Sequence, residues 1–103
     1  MKIIAVTACP SGVAHTYMSA EALERSAKAK GVHVKVETQG SIGIENQLSS
    51  DDIRQADIVL LTNDIGLSGM ERFDGKKIVR VGVSDLVRKA DEIVDKIIKH
   101  LKG

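Results

Sequence analysis

The chain has 103 residues, 43% hydrophobic and 28% charged, with a formal net charge of +1. That balance predicts a single soluble domain, residues 1–103, with a modest core and no bulk electrostatic attraction to nucleic acid or to an anionic membrane. One cysteine excludes an internal disulfide and a C-x-x-C redox pair, and no apolar run approaches the ~20 residues that span a bilayer. The opening run Met1-Lys2-Ile3-Ile4-Ala5-Val6 is too short for a signal peptide, so a cytoplasmic location without direct membrane insertion is expected. Tyr17 and Phe73 are the only aromatic residues, so the core must be aliphatic.

Residues 2–8, K-I-I-A-V-T-A, form a continuous apolar run with β-branched side chains, the pattern of a strand buried on both faces of a parallel sheet. Over residues 16–30 the period changes: Thr16 or Ser19 can cap a helix whose Met18, Ala22, Leu23 and Ala27 share one face, and Gly31 stops it. Residues 32–38 alternate, with Val32, Val34 and Val36 on one face and His33, Lys35 and Glu37 on the other, as in an edge strand with one wet face. Residues 39–48, with Gly40 and Gly43, read as a loop, and Ser49-Ser50-Asp51-Asp52 as the capped start of a short helix ending near Gln55. Residues 57–62, D-I-V-L-L-T, predict a second central strand. Residues 63–75 predict a long loop with a short turn within 64–73, and residues 77–83 a fourth strand. Residues 84–102 predict a helix capped by Ser84 or Asp85, with Leu86, Val87, Ala90, Ile93, Val94, Ile97, Ile98 and Leu101 as one apolar stripe. Strands alternating with helices imply right-handed crossovers. The expected fold is α/β: an open four-stranded parallel sheet with helices on both faces, a Rossmann-like three-layer α/β/α arrangement.

In such sheets, ligands bind beyond the carboxyl ends of the strands. Those ends carry Cys9 to His15 after strand one, Thr38-Gln39-Gly40 after strand two, and Thr62-Asn63-Asp64 after strand three. Gly12 lets backbone amides converge, small Ser11 and Ala14 leave room, and the start of the next helix adds unpaired N–H groups and a positive dipole end. A phosphate-sized dianion suits that loop, and the same field favours the Cys9 thiolate, a nucleophile. A cationic His15 would act in the same direction, and Pro10, which has no N–H, shapes the loop. The other histidines have structural readings: His33 lies on an exposed strand face, and His100 complements the dipole of the last helix. One cysteine and three scattered histidines give no metal-ligand spacing, so no metal site is expected. Small α/β tyrosine phosphatases need C-x5-R and an Asp acid; here His15 stands where their arginine would be, and the only proline is Pro10 rather than one following such an Asp. A cysteine phosphatase is therefore disfavoured against a loop that hands its phosphate on. A phosphorylation-dependent regulatory module is the remaining alternative.

C-P-S-G-V-A-H-T at residues 9–16 resembles the C-P-T-G-I-A-H-T signature of the fructose-type IIB components of the bacterial phosphoenolpyruvate-dependent sugar phosphotransferase system. V-K-V-E-T-Q-G-S-I-G at 34–43, A-D-I-V-L-L-T-N-D-I at 56–65, Arg72-Phe73 and Gly75-Lys76 fit the same family, so the resemblance spans essentially the whole chain. It implies that Cys9 accepts a phosphoryl group from the phosphohistidine of a IIA protein or domain. The group then passes to a sugar, fructose or a relative of it, held by the membrane component IIC. Pro10, Ser11, Gly12, Val13, Ala14, His15 and Thr16 would form the phosphate-binding loop, with Gln39, Gly40, Asn63 and Asp64 at its periphery. No cofactor is implied, and the location would be cytoplasmic, at the inner face of the membrane through IIC. Ser11 and Val13 depart conservatively from the signature, whereas Asn63 and Leu67-Ser68-Gly69-Met70 are less typical of the family.

Overall fold

A computed structural model of the chain describes residues 1–8, 13–40 and 43–102. The elements in order are β1 (Lys2–Thr7), α1 (Val13–Ala29), β2 (His33–Gly40), β3 (Gly43–Glu45), α2 (Ser50–Gln55), β4 (Ile58–Thr62), a 3-10 turn (Met70–Phe73), β5 (Ile78–Val81) and α3 (Val83–Lys102). The sheet order is β3-β2-β1-β4-β5. The pairings of β1 with β2, β1 with β4 and β4 with β5 are parallel. Only β3 runs antiparallel, with Gln39 opposite Ile44 and Gly40 opposite Gly43.

The open α/β architecture follows the patterning, but the sheet has five strands rather than four. The extra strand falls inside the expected 39–48 loop; three residues are too few to carry a period of two. Because β3 pairs only at the end of β2, β2 is an edge strand along its first half alone.

Each central strand supplies both cores through its alternation. Ile3 and Ala5 of β1 and Ile58 and Leu60 of β4 pack with Leu23 of α1 and with Leu86, Ala90, Val94 and Ile97 of α3. Ile4, Val6, Val59 and Leu61 point the other way, against Leu48, Ala56 and Phe73, with Ile53, Leu67 and Met70 partly buried around them. Two long helices therefore cover one face, while a short helix, a 3-10 turn and loop cover the other. Each wholly buried Leu or Ile contributes about 1.5–3 kcal/mol, so β1 and β4 anchor the molecule.

Helix α1 begins at Val13, before the Thr16 or Ser19 expected to cap it. Its buried face is Thr16, Ser19, Ala20, Leu23, Ser26 and Ala27, while Met18, expected on the apolar stripe, is 49% exposed. Half of that face carries hydroxyls. Ser19 Oγ satisfies itself within the helix by donating to Thr16 O at 2.8 Å. The α2 start agrees with its sequence: Ser49 Oγ accepts from the Asp52 N–H and the Asp52 carboxylate accepts from the Ser49 N–H, a capping box. Helix α3 starts at Val83 rather than after a Ser84 or Asp85 cap, and the Val83 N–H donates to Asp64 Oδ1 at 2.8 Å.

Candidate functional site

Strand β1 lies between β2 and β4, so its carboxyl end is the point where the chain's crossovers diverge to either side. The residues there are small and buried: Ala8 and three that carry hydroxyls, Thr7, Thr38 and Thr62. Thr7 pairs with Thr38 across the ladder. Thr62 Oγ1 accepts from the Ala8 N–H at 3.0 Å and donates to the Ala8 carbonyl at 3.2 Å. One side chain thus satisfies both backbone groups of the last described residue before Cys9. Thr7 Oγ1 donates to Thr16 O at 3.3 Å, tying the strand end to the first turns of α1.

Cys9, Pro10, Ser11 and Gly12 lie outside the described residues. Val13 opens α1, Ala14 and His15 are exposed on its first turn, and Thr16 is 2% exposed. Thr16 Oγ1 is the one buried side-chain oxygen or nitrogen without a hydrogen-bond partner among the described residues. The first turn of α1 holds no acidic residue that would neutralise the helix's positive end.

At the periphery, Gln39 is half-buried and Gly40 exposed at the end of β2, and Asn63 and Asp64 are exposed after β4. Asn63 continues the β4–β5 ladder through its backbone N–H, which donates to Val81 O at 2.9 Å, and Asp64 holds the start of α3. Gln39 reaches much further. Its Nε2 donates to Ser68 O at 3.0 Å, and its Oε1 accepts from the Ser68 N–H at 2.9 Å.

Beside Gln39 lies a charge pair that alternation does not anticipate. Glu37, expected on a wet face, is 0% exposed. Arg72 grips it with both terminal nitrogens, at 2.7 Å and 2.5 Å, and Gln39 Nε2 and the Leu48 N–H donate to it at 2.9 Å and 3.0 Å. Burial pushes the Glu37 carboxyl up, yet these donors, Arg72 foremost, outweigh it and hold the group below its usual value. Arg72 Nε also donates to Gly69 O at 2.8 Å, and the guanidinium lies 4.7 Å from the centre of the Phe73 ring. The sequence signal for this cluster is the family block containing Glu37 and Gln39 at adjacent same-face positions, together with Arg72-Phe73.

Among the described residues no group of three or more His, Cys, Asp or Glu side chains could hold a metal, and no helix is long and apolar enough to cross a membrane.

The fold is that of an open, doubly wound α/β domain in which the central first strand ends at a switch point lined by threonine hydroxyls. The family model for the lactose/cellobiose-specific IIB subunit of the PTS system matches residues 4–96. A protein named PTS system fructose-like EIIB component 2, from Escherichia coli (strain K12), is 68% identical over 100 residues, covering 97% of this chain and 94% of that one. The PTS system fructose-specific EIIABC component of Bacillus subtilis (strain 168) is 45% identical over 99 residues, which are 96% of this chain and 15% of that longer protein. A crystal structure described as a predicted fructose-specific IIB from Escherichia coli superposes with a TM-score of 0.89 at 43% identity, covering 99% of this chain and 90% of that one. The chain belongs to the IIB components of the sugar phosphotransferase system, on their fructose-type side.

Proposed function

We propose that this IIB component is a phosphoryl carrier in which Cys9 takes a phosphoryl group from a phosphohistidine of IIA and gives it to a fructose-type sugar held by IIC. The observation that carries the reading is the buried, unpartnered Thr16 hydroxyl in the first turn of α1, a helix end free of acidic residues beside the end of the central strand. A bound dianion would supply the partner that this hydroxyl lacks and would complement the helix dipole. Residues 9–15 would complete the cradle, with Ser11, Gly12, Val13, Ala14 and His15 following the Cys9 and Pro10 pair. In the first transfer the Cys9 thiolate attacks phosphorus and the donor's N–P bond breaks. The imidazole leaves with that electron pair and takes up a proton. In the second, a sugar hydroxyl oxygen bonds to phosphorus and gives its proton up to solvent, while the S–P bond breaks and its electron pair leaves on the regenerated thiolate. Both steps need positioning and charge stabilisation more than acid–base power, because the donor is already activated. The match to part of a protein named EIIABC supports partners of IIA and IIC type. Contact with IIC would hold the chain at the inner face of the membrane.

The test is incubation with phosphoenolpyruvate, the general phosphotransferase proteins and a matching IIA. Stable incorporation of phosphate is expected, abolished in Cys9→Ser. Rapid release of inorganic phosphate without sugar would favour a phosphatase, and a Cys9→Ser variant that restored sugar phosphorylation on IIC membranes as well as the parent would overturn the carrier reading.

A further inference from the structure

Residues 63–69 leave β4 at Thr62, which holds Ala8, and by Ser68 they are bonded to Gln39 of β2. Since β1 lies between β4 and β2, this segment crosses β1 near its carboxyl end. It crosses on the α2 face, where Leu67 and Met70 pack against the core that includes Ile4 and Val6. The crossing is fastened at one side chain. Gln39 presents its amide to the Ser68 backbone as a strand would, donating to the carbonyl and accepting from the N–H, and its orientation is fixed by the third bond, to Glu37. Arg72 anchors the far end of the same strap by bonding both Glu37 and the Gly69 carbonyl. Gln39 therefore acts on a segment bracketing the residue that precedes Cys9, while itself belonging to another strand.

We infer that Gln39 is a positioning residue for phosphoryl transfer: it latches the 63–69 strap across the end of β1, the strand that leads through Ala8 directly to Cys9 in the chain. The inference rests on the carrier reading above. A phosphocysteine is useful to a carrier only while water is kept from it. In the unwanted reaction a water oxygen bonds to phosphorus as the S–P bond breaks. The thiolate leaves with the electron pair, and both water protons stay with the dihydrogen phosphate. Releasing the strap should admit that water and misplace the donor.

Gln39→Ala and Gln39→Met, the second retaining the bulk of the side chain, are to be compared with the parent and with Val94→Ala, which opens a cavity in the core under α3 on the opposite face. Each protein is labelled through IIA, freed of donor, and followed for phosphate loss; kcat and KM for transfer from phosphorylated IIA are measured separately. Both Gln39 variants are expected to lose phosphate several-fold faster and to fall on the order of 10- to 100-fold in kcat with KM little changed. Val94→Ala, matched to them in Tm loss, should keep the parent's rates. Parent-like hydrolysis and kcat in the Gln39 variants, or equal effects in Val94→Ala, would overturn the inference while leaving the carrier reading intact. Failure of the parent to take up phosphate on Cys9 would overturn both.

Discussion

At Glu37 two large effects oppose one another. Its carboxylate has no exposed surface, which costs several kcal/mol of lost hydration. Two bonds from Arg72, one from Gln39 and one from the Leu48 N–H offset that cost by filling its lone pairs. Arg72→Met should therefore destabilise the fold by about 3–5 kcal/mol, because it strands a buried charge. Adding Glu37→Leu should recover part of that loss, a sign reversal that urea denaturation of the single and double variants would read directly. Equal stability of the two would mean that the pair is not coupled. This cluster is the least legible part of the chain. Alternation assigns Glu37 correctly to the face opposite Val36, and nothing local says that this face is covered. The cover arrives from Arg72, 35 residues further on.

The elements divide by how local their causes are. Helix α2 is fully written in S-S-D-D, whose spacing sets up both halves of the capping box. Ser49→Ala should cost about 1 kcal/mol and lower the denaturation midpoint without changing the slope. A larger loss would mean that Ser49 also supports the neighbouring Leu48–Glu37 bond. The apolar stripe of α3 is equally plain, and Leu86, Ala90, Val94 and Ile97 are the residues it buries. Its start is not, because the group that receives the Val83 N–H is Asp64, from a different loop. Helix α1 misleads for another reason. Thr16 and Ser19 have the chemistry of caps, but in α1 they are face residues, and the Ser19 hydroxyl is buried at little cost because it bonds back along its own helix. The site follows the same division. The strand ends and the Cys9 loop can be read from the motif and the sheet rules, whereas the Thr62–Ala8 clasp and the Gln39–Ser68 latch join residues 54 and 29 positions apart.

For the whole molecule these contacts set the response to acid. Burial raises and its donors lower the Glu37 carboxyl, with a net depression; the Lys35 ammonium, then the Ser49 N–H, lower that of Asp52 further. A depressed folded-state pKa gives stability that is complete above the unfolded value and is lost as pH falls through the folded one. Tm should thus be level above about pH 5 and fall progressively below about pH 4, the ordinary carboxylate range. The fall should be shallower in the Arg72→Met/Glu37→Leu protein, and identical acid limbs would remove Glu37 from the account. Asp52 contributes less than its shift suggests, since solvent screens its ion pairs. The unequal coats of the sheet carry a last consequence. Two long helices clamp one face, whereas the other is closed by α2, a 3-10 turn and the strap, with fewer apolar side chains to hold them. Local opening follows the thinner coat, so the α2 face should exchange its amide hydrogens first, as one cooperative unit released ahead of the β1–β4 centre. The softest part of the molecule is then the part that reaches across the end of the central strand, and a docking partner could loosen or tighten it at small free-energy cost while the scaffold behind it stays closed.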